Sequence, residues 1–195
     1  LVRGDTVDIA VGTLALADEA RLSSTRNMQV YANTLTLAGA NSQIIAVTGG
    51  SGWAKIDLIN DFANNGLVYS AGQLDFVTDG KLDNNQNGAF AAQKDLLVKT
   101  RGGNVTNRGA IWSGKTASVT ASNTLTNVGT RSSAVGTIDA DEAVKLVASE
   151  IVNNSTISSL GNITLQAGTI RNEIQGGDDR VWGGTTSKVT KELSN

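Results

Sequence analysis

The sequence predicts an all-β protein, a parallel β-helix whose coils repeat about every 20–22 residues. One short phrase carries the prediction: an apolar residue, an amide, a small turn residue and an apolar residue, each two positions apart. It reads Phe62, Asn64, Gly66, Val68; then Asn84, Gln86, Gly88, Phe90; then Val105, Asn107, Gly109, Ile111; then Leu125, Asn127, Gly129; then Ile151, Asn153, Ser155, Ile157. The turn residues lie 22, 21, 20 and 26 positions apart, and a period near twenty marks a solenoid. An apolar pair follows the turn residue at eight and ten positions, as Leu74 and Phe76, Leu96 and Val98, Ala117 and Val119, and Ile163 and Leu165. In the fourth copy about six extra residues within 131–142 delay the pair to Val144 and Leu146.

Each repeat reads as strands with one wet face. Ala117-Ser118-Val119-Thr120-Ala121 and Ile163-Thr164-Leu165-Gln166-Ala167 alternate apolar with polar, the period that sends successive side chains to opposite sides. Asn, Gly and Ser separate the strands where crossover helices would need ten-residue patterns, so each repeat coils once and stacks on the one before.

In chain order, residues 1–58 hold looser alternating pairs: Val7-Ile9-Val11, Leu14-Leu16, Met28-Val30-Ala32, Leu35-Leu37, Ile44-Ala46 and Ile56-Leu58. These predict irregular coils with variable loops. Residues 59–175 hold the regular coils. Residues 176–195, with Gly176-Gly177-Asp178-Asp179-Arg180 and Trp182-Gly183-Gly184, read as a protruding loop, a cap or a tail without order after about Thr185. Eight or nine coils at about 4.8 Å each predict a rod about 40 Å long.

The corners have their own chemistry. Asn tolerates left-handed backbone and bonds neighbouring backbone, and stacked amides form ladders along an axis. Gly two positions later is expected to take positive φ without a Cβ penalty. Asn64, Gly66, Gly88, Asn107, Gly109, Asn127, Gly129 and Asn153 are the corner positions this reasoning selects.

Composition agrees. Hydrophobic residues make up 39% but aromatics only 4%, with 22 Gly and no Pro, Cys or His, which suits narrow β-layers better than a bulky enzyme core. Without Cys there is neither disulfide nor thiolate chemistry, and nothing about redox compartment follows. The net charge of −2 is scattered singly, so no basic stripe exists to neutralise phosphates and nucleic acid is not an expected partner. No apolar run approaches the length of a membrane span. The start at Leu1, with no charged-then-apolar leader, reads as a piece of a longer protein.

The repeats resemble the filamentous haemagglutinin repeats of bacterial two-partner-secretion exoproteins. Asn65-Gly66-Leu67-Val68-Tyr69-Ser70-Ala71-Gly72 and Asn107-Arg108-Gly109-Ala110-Ile111-Trp112-Ser113-Gly114, each followed by alternating aliphatics, carry the resemblance, which spans about residues 58–174. It implies a right-handed β-helix, exported through an outer-membrane partner transporter and displayed as a fibre on the bacterial surface, as in adhesins, haemolysins and contact-dependent inhibition stalks. The implied partner is a host-cell or bacterial surface receptor, protein or glycan. The family's secretion domain carries Asn-Pro motifs, and a chain without Pro is therefore expected to be shaft. No enzyme activity, cofactor or metal is implied.

Four candidate sites stand beside that reading. Arg3-Gly4-Asp5 is the tripeptide integrins recognise, provided it sits on an exposed turn where Arg and Asp splay apart; an ordinary glycine turn gives the same three letters. The carboxylates Asp57-Asp61, Asp139-Asp141-Glu142 and Asp178-Asp179 are of a kind that holds calcium or cleaves polysaccharide. No His accompanies them, no acid recurs at a fixed place in successive coils, and solvated loop charge is the simpler reading. Trp53, Trp112 and Trp182 are of a type that stacks on sugars or anchors interfaces, with coil corners and loop bases as the structural alternative. The insertion within 131–142 and the loops near Gly49-Gly50-Ser51-Gly52 and Asp178 interrupt the repeat, and solenoid insertions commonly meet partners. Asn104, Asn153, Asn154 and Asn162 head N-glycosylation tripeptides that double as repeat chemistry. The alternative to a structural and adhesive fibre segment is a carbohydrate-active β-helix, a tailspike or polysaccharide lyase, which requires acids and bases converging from adjacent coils.

Overall fold

The computed structural model describes residues 1–48, 50–129, 136–172 and 189–191. The first two coils are single long strands, β1 (Val2–Leu16) and β2 (Arg21–Leu37). Shorter strands follow: β3 (Gln43–Ala46), β4 (Trp53–Leu58), β5 (Phe62–Asn64); β6 (Leu67–Ser70), β7 (Gln73–Thr78), β8 (Leu82–Asn84); β9 (Ala89–Ala92), β10 (Leu96–Thr100), β11 (Val105–Asn107). The run continues with β12 (Ala110–Ser113), β13 (Thr116–Thr120), β14 (Thr124–Asn127); β15 (Thr137–Ala140), β16 (Ala143–Val147), β17 (Glu150–Asn153); and β18 (Thr156–Ser159), β19 (Asn162–Gln166), β20 (Thr169–Asn172), β21 (Val189–Lys191). The chain is a parallel β-solenoid of about eight turns.

Three faces run along the solenoid. The first stacks β3-β6-β9-β12-β15-β18, the second β4-β7-β10-β13-β16-β19-β21, and the third, a six-stranded sheet, β5-β8-β11-β14-β17-β20. β2 joins the first two into one 15-stranded sheet, because residues 21–23 pair with β3 and residues 28–32 with β4. In this N-terminal part β1 and β2 pass from face to face as continuous strands, and the connections follow β1, β2 and β3.

Alternation builds the core. On the first face the strands at Leu67, Ala89, Ala110 and Thr137 each alternate half-buried with buried residues, so Val68, Phe90, Ile111 and Ile138 form an inward column. Leu74, Leu96, Ala117 and Val144 form another, and Leu82, Val105, Leu125 and Ile151 a third. Each fully buried aliphatic or phenyl side chain contributes about 1.5–3 kcal/mol. The chain has only three Phe, and all three meet inside from three different faces: Phe62 to Phe76 is 4.7 Å between ring centroids, and Phe76 to Phe90 is 4.9 Å. Their tilted and edge-on packing adds to the area they bury.

Between the third and first faces runs a column of amides. Asn64 Nδ2 donates to Asn84 Oδ1 at 2.9 Å, Asn84 to Asn107 at 2.7 Å, Asn107 to Asn127 at 2.8 Å, Asn127 to Asn153 at 2.9 Å and Asn153 to Asn172 at 2.8 Å. The second N–H of the amide is used as well: Asn84 donates to Ala110 O, Asn107 to Thr137 O and Asn127 to Thr156 O, at 3.2, 3.1 and 3.0 Å. Asn64, Asn84, Asn107 and Asn127 are fully buried. Burying an amide is costly unless its groups are paired, and each rung supplies that pairing.

This ladder corrects the register in two places. In the second copy the amide at the corner is Asn84, not Gln86, because Leu82 stands opposite both Phe62 and Val105. In the fourth, Thr137 pairs with Ala110, so Gly136, not Gly129, occupies the place of Gly109. The extra residues therefore precede Gly136 and end before 137–142, which are strand β15 and the turn after it; residues 130–135 lie outside the described residues.

The reason for glycine is also different from the one expected. Gly66, Gly88 and Gly109 do not have positive φ; among the described residues that conformation belongs to Glu19, Val47, Gly50 and Gly52. A Cβ on Gly66 would instead run into Ser42 O, on Gly88 into Asn64 O, and on Gly109 into Gly88 O and Asn85 O. Coils stack so closely at this corner that the previous coil's carbonyl fills the space of a side chain. In the C-terminal tail, β21 adds a parallel strand against Ile163, Thr164 and Leu165; residues 173–188 and 192–195 lie outside the described residues.

Two substitutions test the corner. If close approach is the constraint, Gly109→Asn will destabilise at least as much as Gly109→Ala in urea unfolding; tolerance of Asn but not Ala would restore a left-handed corner. Asn107→Leu removes the donors to Asn127 and Thr137 and should cost about 3 kcal/mol or more, at about 1–3 kcal/mol per buried group left unpaired. An unchanged urea midpoint would show that the ladder contributes nothing.

Candidate functional site

Arg3-Gly4-Asp5 lies within strand β1, not on a turn. The register of β1 on β2 slips here: Gly4 faces Ser24 but Thr6 faces Asn27, so Asp5 alone stands opposite Thr25 and Arg26. Both bulge residues use it. Thr25 Oγ1 donates to Asp5 Oδ1, and Arg26 Nε donates to Oδ1 at 3.0 Å and Oδ2 at 2.8 Å, with Arg26 Nη2 also on Oδ2. These hydrogen bonds, from Arg26 first and then Thr25, hold the Asp5 carboxyl at a pKa of about 2. The aspartate of the tripeptide thus has an internal guanidinium partner in this fold.

Several carboxylates of the described clusters are likewise taken up by neighbours. Arg101 donates to Asp57 at 2.9 and 2.7 Å and to Asp79 at 2.6 Å, tying together three consecutive coils, and Asp57 followed by Asp79 pushes its pKa still higher. Asp61 Oδ1 accepts the Lys81 backbone N–H at 2.9 Å, and Lys81 Nζ lies 3.7 Å from Asp83. Asp139 Oδ1 accepts from Ser158 Oγ at 2.7 Å, while Asp141 and Glu142 are exposed at the following turn. Among the described residues no three His, Cys, Asp or Glu are placed to hold a metal ion. Asp178, Asp179 and Trp182 lie outside the described residues.

The other two tryptophans face outward on different faces. Trp53 opens β4 on the second face and is exposed; Trp112 sits in β12 on the first, half-buried between inward Ile111 and Ser113. Trp112 stands in register with Ala91 on one side and Asp139 on the other. The loop after β3 contains three of the four positive-φ residues described: Val47, buried at φ 57°, followed by Gly50 and Gly52. Gly52 is needed twice over, by its φ of 143° and by Arg26 O, 2.6 Å from where its Cβ would be.

One feature is not legible in the linear sequence. Val11, Tyr31, Asn33, Asp57 and Ile59 gather around a shallow cleft of about 240 Å³, with Lys55 Nζ 5.9 Å from the centre of the Tyr31 ring. Alternation alone places Tyr31 outward between Val30 and Ala32, but only the register of β1, β2 and β4 brings it beside Val11 and Ile59. Family models, curated proteins and solved structures give no match to this chain.

The Asp5 pair predicts a pH effect. Its folded pKa lies below its ordinary value of 3.8, so the contribution is complete above about pH 4 and is lost as pH falls toward 2. Asp5→Asn should lower the thermal midpoint slightly at pH 7 and in low salt, and by clearly less at pH 2, where about half of Asp5 is already protonated in the folded chain. An equal loss at both pH values would remove the ion pair as the cause.

Proposed function

We propose that this β-helix is a non-enzymatic shaft segment of a secreted, cell-surface fibre of the filamentous haemagglutinin type, which sets reach and presents contact surfaces to a host cell or a neighbouring bacterium. The observation that carries the reading is the amide ladder running from Asn64 to Asn172 through successive coils in register. Such an architecture extends by adding coils, each stabilised by its neighbours, and its function is mechanical and presentational. Export through an outer-membrane partner transporter belongs to the same proposal, on the strength of the repeat phrases. The dispersal of carboxylates onto Arg101, Lys81, Ser158 and Arg26 supports a non-catalytic role, because a hydrolytic pair needs two carboxyl groups that flank one substrate bond.

Two measurements test it. The segment, joined to a two-partner secretion domain and expressed with its transporter, should become surface-exposed and support cell adhesion that is lost when the segment is removed. Deleting residues 89–109 puts Ala110, which stands in register with Ala89, directly after Gly88, and should leave a folded, exported fibre one coil shorter. Release of reducing ends from a polysaccharide by the purified chain would overturn the proposal.

A further inference from the structure

The first face differs from the second in charge. On β6, β9 and β12 its outward residues are Leu67, Tyr69, Ala89, Ala91, Ala110 and Trp112, and none is charged. In the same coils the second face carries Asp75 and Lys99, and the coils on either side add Lys55 and Asp57 in β4 and Lys145 in β16. Loss of charge together with Tyr and Trp is the composition of the buried centre of a binding surface, not of a solvated one.

Register arranges these residues in two lines parallel to the axis. Tyr69, Ala91 and Trp112 stand directly in line, and Leu67, Ala89 and Ala110 form the adjacent line. Two aromatic rings are therefore held two strand spacings apart, about 9.6 Å, over a floor of alanines. Beyond Trp112 in the same line is Asp139, which takes one bond from Ser158 and keeps further acceptor positions. All of these side chains are mounted on hydrogen-bonded strands, so little ordering is needed when something binds.

Dimensions decide between occupants. Four outward-and-inward residues per strand make the face about 13 Å wide, and six strands make it about 29 Å long, a patch of about 400 Å². That is half of the roughly 800 Å² per partner in a stable protein complex, so a second copy or a globular partner is poorly served. A linear chain lying along the axis is well served. We infer that the first face binds a neutral glycan, whose pyranose rings stack by their C–H faces on Tyr69 and Trp112 while a hydroxyl donates to Asp139. This rests on the proposed role in surface contact and assigns that contact to the flat face, not to the loops that interrupt the repeat.

The experiment uses the whole chain on an array of neutral oligosaccharides (cello-, chito-, xylo- and laminari-series) beside heparin and sialylated glycans. Binding to at least one neutral series is expected, insensitive to added salt. Trp112→Ala and Tyr69→Ala should each weaken it about tenfold or more, as loss of one stacking platform implies, and Trp53→Ala on the second face should leave it unchanged. Ala91→Lys, which raises the floor without removing a ring, should weaken it as well, and circular dichroism checks that each variant keeps its strands. The inference is overturned if the wild-type chain retains no neutral glycan, if the first-face variants bind as wild type does, or if sedimentation shows Trp112-dependent self-association instead. Fibres carrying Trp112→Ala that are exported and still adhere would sink the glycan site and leave the fibre proposal standing; failure of export or of adhesion by the wild-type segment would sink the fibre proposal itself.

Discussion

A buried primary amide has two N–H groups and a carbonyl oxygen to satisfy, and in this solenoid the next coil supplies the partners. The column from Asn64 to Asn172 joins each coil to the next through a side chain, and each middle rung also donates to the backbone just beyond the following corner. Beside it a parallel column of backbone bonds runs through Asn85, Arg108, Val128 and Asn154, each N–H donating to the carbonyl of the preceding coil's Asn. A slip by one residue would send the amides outward and put their neighbours in the core, leaving several buried groups unpaired. Register is thus fixed at one corner and inherited by all three faces.

The rest of the architecture follows from that fixed stacking. Because the coils approach at backbone distance beside the ladder, Gly66, Gly88 and Gly109 have no room for a side chain, whatever their backbone angles. The corner between the first and second faces is as close, since a Cβ on Gly72, Gly114 or Gly161 would run into the preceding coil's carbonyl, but it uses serine: Ser70, Ser113 and Ser159 each accept the backbone N–H two residues on, while Ala92 and Ala140 hold the same place without a hydroxyl. With backbone pairing provided by the coils, the interior needs only enough bulk to fill a narrow channel. Mostly aliphatic columns suffice, and the three phenylalanines fill one layer between them.

Side chains that point outward are released from this constraint, and there the faces diverge. The second face and its edges carry ion pairs that cross coils, such as Arg101 with Asp57 and Asp79. The first face carries none over β6, β9 and β12. The same backbone therefore presents a charged surface on one side and a neutral, aromatic one on another, and a contact with a partner is set by which columns align.

The sequence by itself determined the fold class, the period and the inward residues, because period-two alternation and the recurring Asn are local patterns that report directly on which side of a strand is wet. It also placed Asn64, Asn107, Asn127 and Asn153 at one corner. It misassigned Gln86 and Gly129, since two residues near a turn are interchangeable in a linear pattern and only pairing across coils separates them. Why glycine is required, that Asp5 belongs to Arg26, and that Tyr69 lines up with Trp112 were decided by the tertiary structure alone. Each depends on distances between residues about twenty or more positions apart, and those distances exist only once the coils are stacked.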